Sequence, residues 1–213
     1  MGDREHEKAQ EGGRRKMRKE EIRVAATRLF AERGYEGTSM GDLAADVGIR
    51  KASLFHHFES KQALYADVLK TILSDVALAI STSAMCELPY EERADQIVDS
   101  LNNLFFQAPY AARLLFREAM TINPETRDVF LGALGVVYRT GVDFILRGQA
   151  AGTFTTRVSA EHTVISLVGI VALPFSMPST IQALYGSSPF DDSFVEGRKR
   201  EVRQQTRLLL LGK

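Results

Sequence analysis

Residues 50–61 read Arg50-Lys51-Ala52-Ser53-Leu54-Phe55-His56-His57-Phe58-Glu59-Ser60-Lys61, a run that mixes basic, hydroxyl and aromatic side chains with apolar ones. Those types suit one kind of chemistry. A lysine such as Lys51 can donate to guanine O6 and N7, a serine such as Ser53 can bond either kind of base, and His57 adds a third polar group. Phe55 offers apolar contact to a thymine methyl or a sugar, and His56 stands beside it. Arg50 and Lys61, with Thr38 a little upstream, are placed for phosphate contacts that set register without reading sequence. The plainer reading is a small helical scaffold with an ordinary polar surface. A metal pair at His56 and His57 is disfavoured, because adjacent residues on a helix point about 100° apart.

To act together these groups need a short helix held against a core, and the flanking residues predict one. Leu54 and Phe58 are four apart and share an inward face, which leaves most of Lys51, Ser53, Phe55, His56 and His57 outside. Gly48 can end the preceding helix at positive φ, and Ile49 then drops back onto the core. Ser39 caps that preceding helix with Asp42 as its capping-box partner, and Met40, Leu43, Ala44 and Val47 form its inner face. Upstream, Ile22, Ala25, Ala26, Leu29 and Phe30 repeat as one stripe and predict a helix over about 18–33. Gly34 and Tyr35 close it, the ring lying over Phe30. Two short helices around a glycine turn, the second polar and basic, spell a helix-turn-helix.

The order and spacing of these residues resemble the DNA-binding region of the TetR family of bacterial transcriptional regulators. The features are Ile22-x-x-Ala25-Ala26-x-x-Leu29-Phe30, Gly34-Tyr35-x-Gly37-Thr38-Ser39, Leu43-Ala44-x-x-Val47-Gly48-Ile49 and Leu54-Phe55-His56-His57-Phe58-x-Ser60-Lys61-x-x-Leu64. Two positions depart from the family pattern. Phe55 stands where the family usually has tyrosine, so a hydroxyl is lost, and Arg50 stands where it often has serine. The resemblance implies an all-α homodimer. Its helix-turn-helix DNA-binding domain of three helices would span 16–62, and its helical ligand-binding and dimerisation domain 63–213. It also implies that ligand binding changes the separation of the two DNA readers.

Residues 1–15 are polar and form a basic arm, read either as a flexible segment that orders on DNA or as a solvated tail. Ser60 caps a helix predicted to run to about 83, roughly 35 Å at 1.5 Å per residue, long enough to join a DNA head to a second module. A helix over 90–107 turns Ile97, Leu101, Leu104 and Phe105 inward, and Pro109 fits the first position of the next. Another helix follows Asn123-Pro124 to about 147. Gly132, Gly135 and Gly141 inside it each cost about 1 kcal/mol relative to alanine, which points to close packing or to space for a ligand. Phe105, Phe106, Phe116, Met120, Phe130, Leu134, Tyr138 and Phe144 are the candidate lining of a pocket for a small apolar or aromatic effector, with plain core as the alternative. Ser159 caps a helix that is apolar nearly all round until Pro174, so Val164, Leu167, Val168 and Val171 are expected to meet a second subunit. Val195, Val202 and Leu209 recur every seven residues as a helix–helix seam. Arg198, Lys199, Arg200, Arg203 and Arg207 read as a solvated face.

The whole chain sets bounds on these readings. Its 213 residues and 45% apolar share support a real core, and its formal net charge of zero argues against a protein that coats nucleic acid without selectivity. Positive charge gathers instead at Arg14, Arg15, Lys16, Arg18, Lys19, Arg23 and Arg28, an electrostatic footprint beside the helix-turn-helix. Cys86 stands alone, which excludes a disulfide framework and a cysteine zinc site. No uninterrupted apolar stretch is long enough for a spanning helix, so neither a membrane nor an export signal is expected and the compartment is cytoplasmic. No nucleophile elbow, phosphate loop or metalloprotease motif is present, His162 reads as a core histidine, and no enzyme activity, metal or cofactor is expected. The expectation is a ligand-responsive, sequence-specific regulator on double-stranded operator DNA, a repressor released by a small apolar molecule. The alternative is a helical dimeric adaptor or small-molecule-binding protein with no DNA role.

Overall fold

A computed structural model describes the backbone over residues 2–212 and the side chains over residues 18–212. Among the described residues the chain is all helix and turn. The helices are α1 (Gly2–Arg33), α2 (Met40–Val47), α3 (Lys51–Phe55), α4 (Lys61–Ala84) and α5 (Tyr90–Gln107), then α6 (Ala111–Thr121), α7 (Arg127–Ala150), α8 (Ala160–Ser176), α9 (Pro178–Tyr185) and α10 (Asp192–Leu211). Helix α1 starts well before its apolar stripe does. The basic arm expected over 1–15 falls outside the residues whose side chains are described.

Helices α1 to α3 form a head around Ile22, Ala26, Leu29, Phe30, Leu43 and Leu54, all buried. The same apolar cluster runs on through Leu64, Val68, Leu69 and Ile72 into the body, so α4 belongs to both parts. Ser60 caps α4 by accepting the Ala63 amide at 3.0 Å. From the second turn of α4, Asp67 accepts Arg23 of α1 at 2.6 Å and Lys19 at 3.4 Å. These contacts fix the angle between head and connector.

In the body, α4 packs against α5 and α7, α10 lies along α5, and α8 crosses α5, α6 and α7. A second cluster of Ala94, Phe144, Ile145, Phe154, Ala160, Val164 and Leu210 closes the far end. There Gly148 is held against the Phe154 ring, where a Cβ would come within 2.1 Å. Gly141 approaches Val164, whereas nothing stands within 4 Å of a Cβ on Gly132 and only the Arg139 side chain meets one on Gly135. Gly141 is both closely packed on Val164 and part of a cavity wall, and the sequence expectation fails for the other two.

Helix α8 does not stop at Pro174 but continues to Ser176. A proline removes the bond to the carbonyl four residues back. Here that carbonyl is Ile170 O, and Arg198 of α10 donates to it at 2.6 Å. Arg198 is thus not part of a solvated face: it is half-buried, and burial holds its pKa below the usual arginine value. Helix α9 then leaves at 85° to α8. By length and composition α7 could cross a membrane, with a mean hydropathy of 1.6. Its Phe130, Val137, Phe144 and Ile145 are instead built into the two cores.

Candidate DNA interface and ligand cavity

The head presents α3 by local means. The Ser39 hydroxyl accepts the Asp42 amide at 3.1 Å and the Asp42 carboxylate accepts the Ser39 amide at 3.0 Å, a reciprocal cap on α2. The Ser39 hydrogen bonds hold the Asp42 carboxyl below its ordinary pKa. Gly48 sits at φ 69°, ψ 35°, and the Ile49 amide turns back to Ala44 O at 2.9 Å. Leu54 and Phe58 then point inward. Arg50, Lys51 and His56 are exposed, Ser53 and His57 are half-buried, and Phe55 is 43% exposed.

Two of the residues expected at phosphate are used inside the protein. Thr38 is only 1% exposed, and its hydroxyl donates to Gly34 O at 2.9 Å. A side chain so covered cannot reach a backbone phosphate. Lys61 donates to Tyr35 O at 3.0 Å and lies 4.1 Å from the centre of the Tyr35 ring, which anchors it on the base of the head. The basic footprint on α1 is also neutralised where it is described. Arg18 pairs with Glu21, Lys19 and Arg23 with Asp67, and Arg28 with Asp46. Among the described residues Arg50 and Lys51 have no carboxylate partner, and neither does Lys61, whose partners are the uncharged Tyr35 carbonyl and ring.

Below the head lies a junction that sequence reading missed. Glu118 of α6 is 2% exposed, yet its carboxylate accepts Tyr65 Oη at 2.7 Å, the Asn123 amide at 2.9 Å and Thr126 Oγ1 at 3.4 Å. One side chain so ties α4, α6 and the start of α7 together. Burial first, and then the Glu118 partner, push the Tyr65 phenol well above the ordinary tyrosine value. Nearby, Tyr35 of the head donates to Glu125 at 2.6 Å and Gln62 donates to Glu125 O at 2.8 Å. The turn between α6 and α7 passes through Ile122 at φ 38°, an unfavourable conformation for a β-branched residue. It is held because the Ile122 amide bonds the Glu118 backbone carbonyl at 2.6 Å and the Asn123 amide bonds the Glu118 carboxylate at 2.9 Å. A glutamate four residues after buried Leu114 was the available signal.

The body holds a partly open cavity of about 320 Å³ walled by α4, α5, α6, α7, α8 and α10. Phe105, Phe116, Phe130, Leu134 and Phe144 stand in its wall. Phe106, Met120 and Tyr138 do not. Each of these is one position away from a residue that does, namely Phe105, Ala119 and Val137. At 100° per residue that step turns a side chain off the cavity, and Met120 ends up 78% exposed.

The residues expected at a subunit seam are mostly occupied too. Val164, Leu167, Val168 and Val171 all line the cavity, while Val195 and Val202 are buried in the chain's own core and Leu209 is half-buried. The seven-residue spacing on α10 coincides with the inner stripe Val195, Val202, Thr206 and Leu210, which packs on α5. Only Val168 of that set is also well exposed, and the outer apolar surface of α8 is Ile165, Val168 and Leu173. Cys86 donates to Ser83 O and to Gln96 at the end of α4. The described residues hold no cluster of potential metal ligands.

Residues 22–68, the head and the first turns of α4, match the family described as bacterial regulatory proteins, tetR family. The chain is 30% identical over 141 residues to the HTH-type transcriptional repressor KstR2 of Rhodococcus jostii, covering 61% of this chain and 69% of that protein. The chain belongs to the TetR family. It is accordingly a DNA-binding transcriptional regulator and not an enzyme. This TetR-family chain is also 26% identical over 203 residues to the HTH-type transcriptional activator FasR of Mycolicibacterium smegmatis, covering 92% of this chain and 89% of the relative. In solved structures its fold is that of the transcriptional regulator FadR from Bacillus subtilis in complex with stearoyl-CoA, with a TM-score of 0.70 at 14% identity over 91% of this chain and 98% of that one.

Proposed function

We propose that this TetR-family regulator acts in the cytoplasm as a homodimer, reads operator DNA with Lys51, Ser53 and Phe55, and is released by an apolar, acyl-type effector in the body cavity. The cavity carries this reading: its wall is apolar on six helices, and it adjoins the connector that holds the head. Stearoyl-CoA in the FadR structure supports an acyl chain as the occupant. His57 and His56 flank the reading surface, and Arg50 serves phosphate. Lys61 and Thr38 support the head instead of touching DNA. The second subunit packs on the outer face of α8, where Ile165 is 61% exposed beside Val168 and Leu173.

Repression follows the KstR2 likeness. The activator reading has its own support in FasR, which matches more of the chain. A mobility-shift titration with the DNA adjoining the regulator's own coding sequence tests the contacts. Lys51→Ala is expected to relax discrimination at one base position by about 1–3 kcal/mol. Unchanged sequence preference in that variant rejects Lys51 as the reader. Transcription from the same DNA with and without the protein separates repressor from activator.

A further inference from the structure

Of the residues that wall the cavity, Ala119 of α6, Leu134 of α7 and Val168 of α8 are exposed, so an opening lies where these three helices meet. Behind it the wall is apolar but for Thr206, whose hydroxyl oxygen is fully covered. A carboxylate or phosphate drawn inside would lose its water and meet no counter-charge. An amphiphile can therefore enter by its chain alone, with its polar end left at the opening. The rim decides which polar end is suited. Helix α8 carries no charged side chain from Thr163 to Ser176. On α6, Ala119 stands between buried Glu118 and apolar Met120, and Arg117 is laid against Gly34 of the head. On α7 the residue after Leu134 is Gly135, and the Arg139 guanidinium lies over it: a Cβ there would stand 3.1 Å from Arg139 Nη1. Arg139 is exposed and has no carboxylate partner among the described residues.

We infer that Arg139 binds the polar end of an amphiphilic effector: the chain fills the cavity, and an anionic group on its end pairs with the guanidinium on the lip formed by Leu134 and Gly135. This rests on the reading of the cavity as the effector site. Gly135 serves the arrangement. Without a side chain there, the planar guanidinium can lie down on α7 beside the opening. A glycine in that place costs the helix about 1 kcal/mol relative to alanine, and the side chain that uses the space is Arg139. The guanidinium fork matches a carboxylate or a phosphate through two parallel hydrogen bonds, which a neutral alcohol cannot accept. Two sources carry that chemistry on an apolar chain, a free fatty acid through its carboxylate and a coenzyme A ester through its phosphates.

The test is competition against N-phenyl-1-naphthylamine bound to the full-length protein, with decan-1-ol, decanoate and decanoyl coenzyme A as probes of matched chain. Arg139→Gln is expected to weaken at least one anionic probe about 3- to 10-fold and to leave decan-1-ol unchanged. Arg139→Lys should recover part of the loss, since it keeps the charge without the fork. Arg127→Gln, two turns before Leu134 on the same helix, should change none of the three. Circular dichroism confirms that the variants fold. A loss with decanoate assigns the carboxylate, and a loss with decanoyl coenzyme A alone assigns a phosphate. Anionic probes weakened no more than decan-1-ol, or weakened equally by Arg127→Gln, overturn the role of Arg139 while leaving the cavity reading intact. Failure of all three probes to displace the fluorophore overturns the cavity reading, and the inference with it.

Discussion

Glu118 and Thr206 are equally buried, at 2% exposure each, yet one is ringed by donors and the other has no partner for its hydroxyl. At Glu118 three donors from α4, the α6–α7 turn and the start of α7 converge on one carboxylate. Along the α5–α10 seam, Asn102 Oδ1 and Thr206 Oγ1 lack a hydrogen-bond partner, and Asp99 Oδ1 has only the ion pair with Arg203 Nε at 3.4 Å. A buried polar group that is satisfied within the chain rigidifies it, and one that is not stays costly until something pairs with it. The junction is thus complete in the free protein, while the α5–α10 seam is not. The junction and the cavity are joined by α6, whose Ala112, Leu115, Phe116 and Ala119 face the cavity while Glu118 faces the junction. Glu118 links α6 to Tyr65 on the connector, and Glu125 links the α6–α7 turn to Tyr35 of the head, so a ligand that shifted α6 would act on both.

The largest expected effect is at the satisfied end. Glu118→Ala strands the buried Tyr65 and Thr126 hydroxyls and takes the Asn123 bond from the Ile122 turn, and should cost about 3–5 kcal/mol of unfolding free energy in urea. A loss below about 1 kcal/mol would mean that the junction is not pre-built. Next comes a pair of nearly isosteric hydroxyl deletions whose signs should differ. Tyr65→Phe removes a made hydrogen bond and should cost about 1–2 kcal/mol, while Thr206→Val removes an unmade one and should be neutral or stabilise by up to about 1 kcal/mol. Equal signs would erase the distinction between the regions.

Acid titration gives the smallest and most selective contrast. Burial pushes Asp67 upward, but Arg23 and then Lys19 hold it below the ordinary aspartate value of 3.8, so its contribution is present above that value and lost as pH falls through the lowered pKa. Burial raises Asp99 despite Arg203, so stability falls as pH rises from 3.8 through the raised value. Asp67→Asn should therefore be less stable than wild type near neutrality. Asp99→Asn should be more stable there. Each difference should be at most about 1 kcal/mol, and both should fade in acid. Chemical denaturation across pH measures them, and parallel profiles for the two variants would contradict the assignment.

The head was legible because its signals are local. The Ser39–Asp42 box, the Gly48 turn and the Ser60 cap each involve residues within a few positions, and the pattern of Leu54 and Phe58 sets which face of α3 is bare. Thr38 and Lys61 have partners, Gly34 O and Tyr35, that are supplied by the folded corner of the head, and residue type alone does not say whether a donor is already engaged. In the body, helical periodicity located the apolar helices but not which flank of each one meets the cavity. Phe106, Met120 and Tyr138 missed by one position for that reason. On α10, a seven-residue repeat and the inner stripe of a packed helix share Val195 and Val202, and only tertiary structure separates them. Glu118 and Thr206 could have been marked as polar residues on apolar stripes. Their opposite states could not, since satisfaction depends on groups far away in sequence.

The account as a whole claims that occupying the body cavity changes the grip of the head on DNA. Fluorescence anisotropy of the DNA adjoining the regulator's own coding sequence, titrated with wild-type protein at fixed salt with and without saturating dodecanoyl coenzyme A, measures this directly. A fall in affinity of about 5- to 150-fold is the predicted result. An identical affinity with the cavity filled, shown by loss of N-phenyl-1-naphthylamine fluorescence in the same samples, would contradict it.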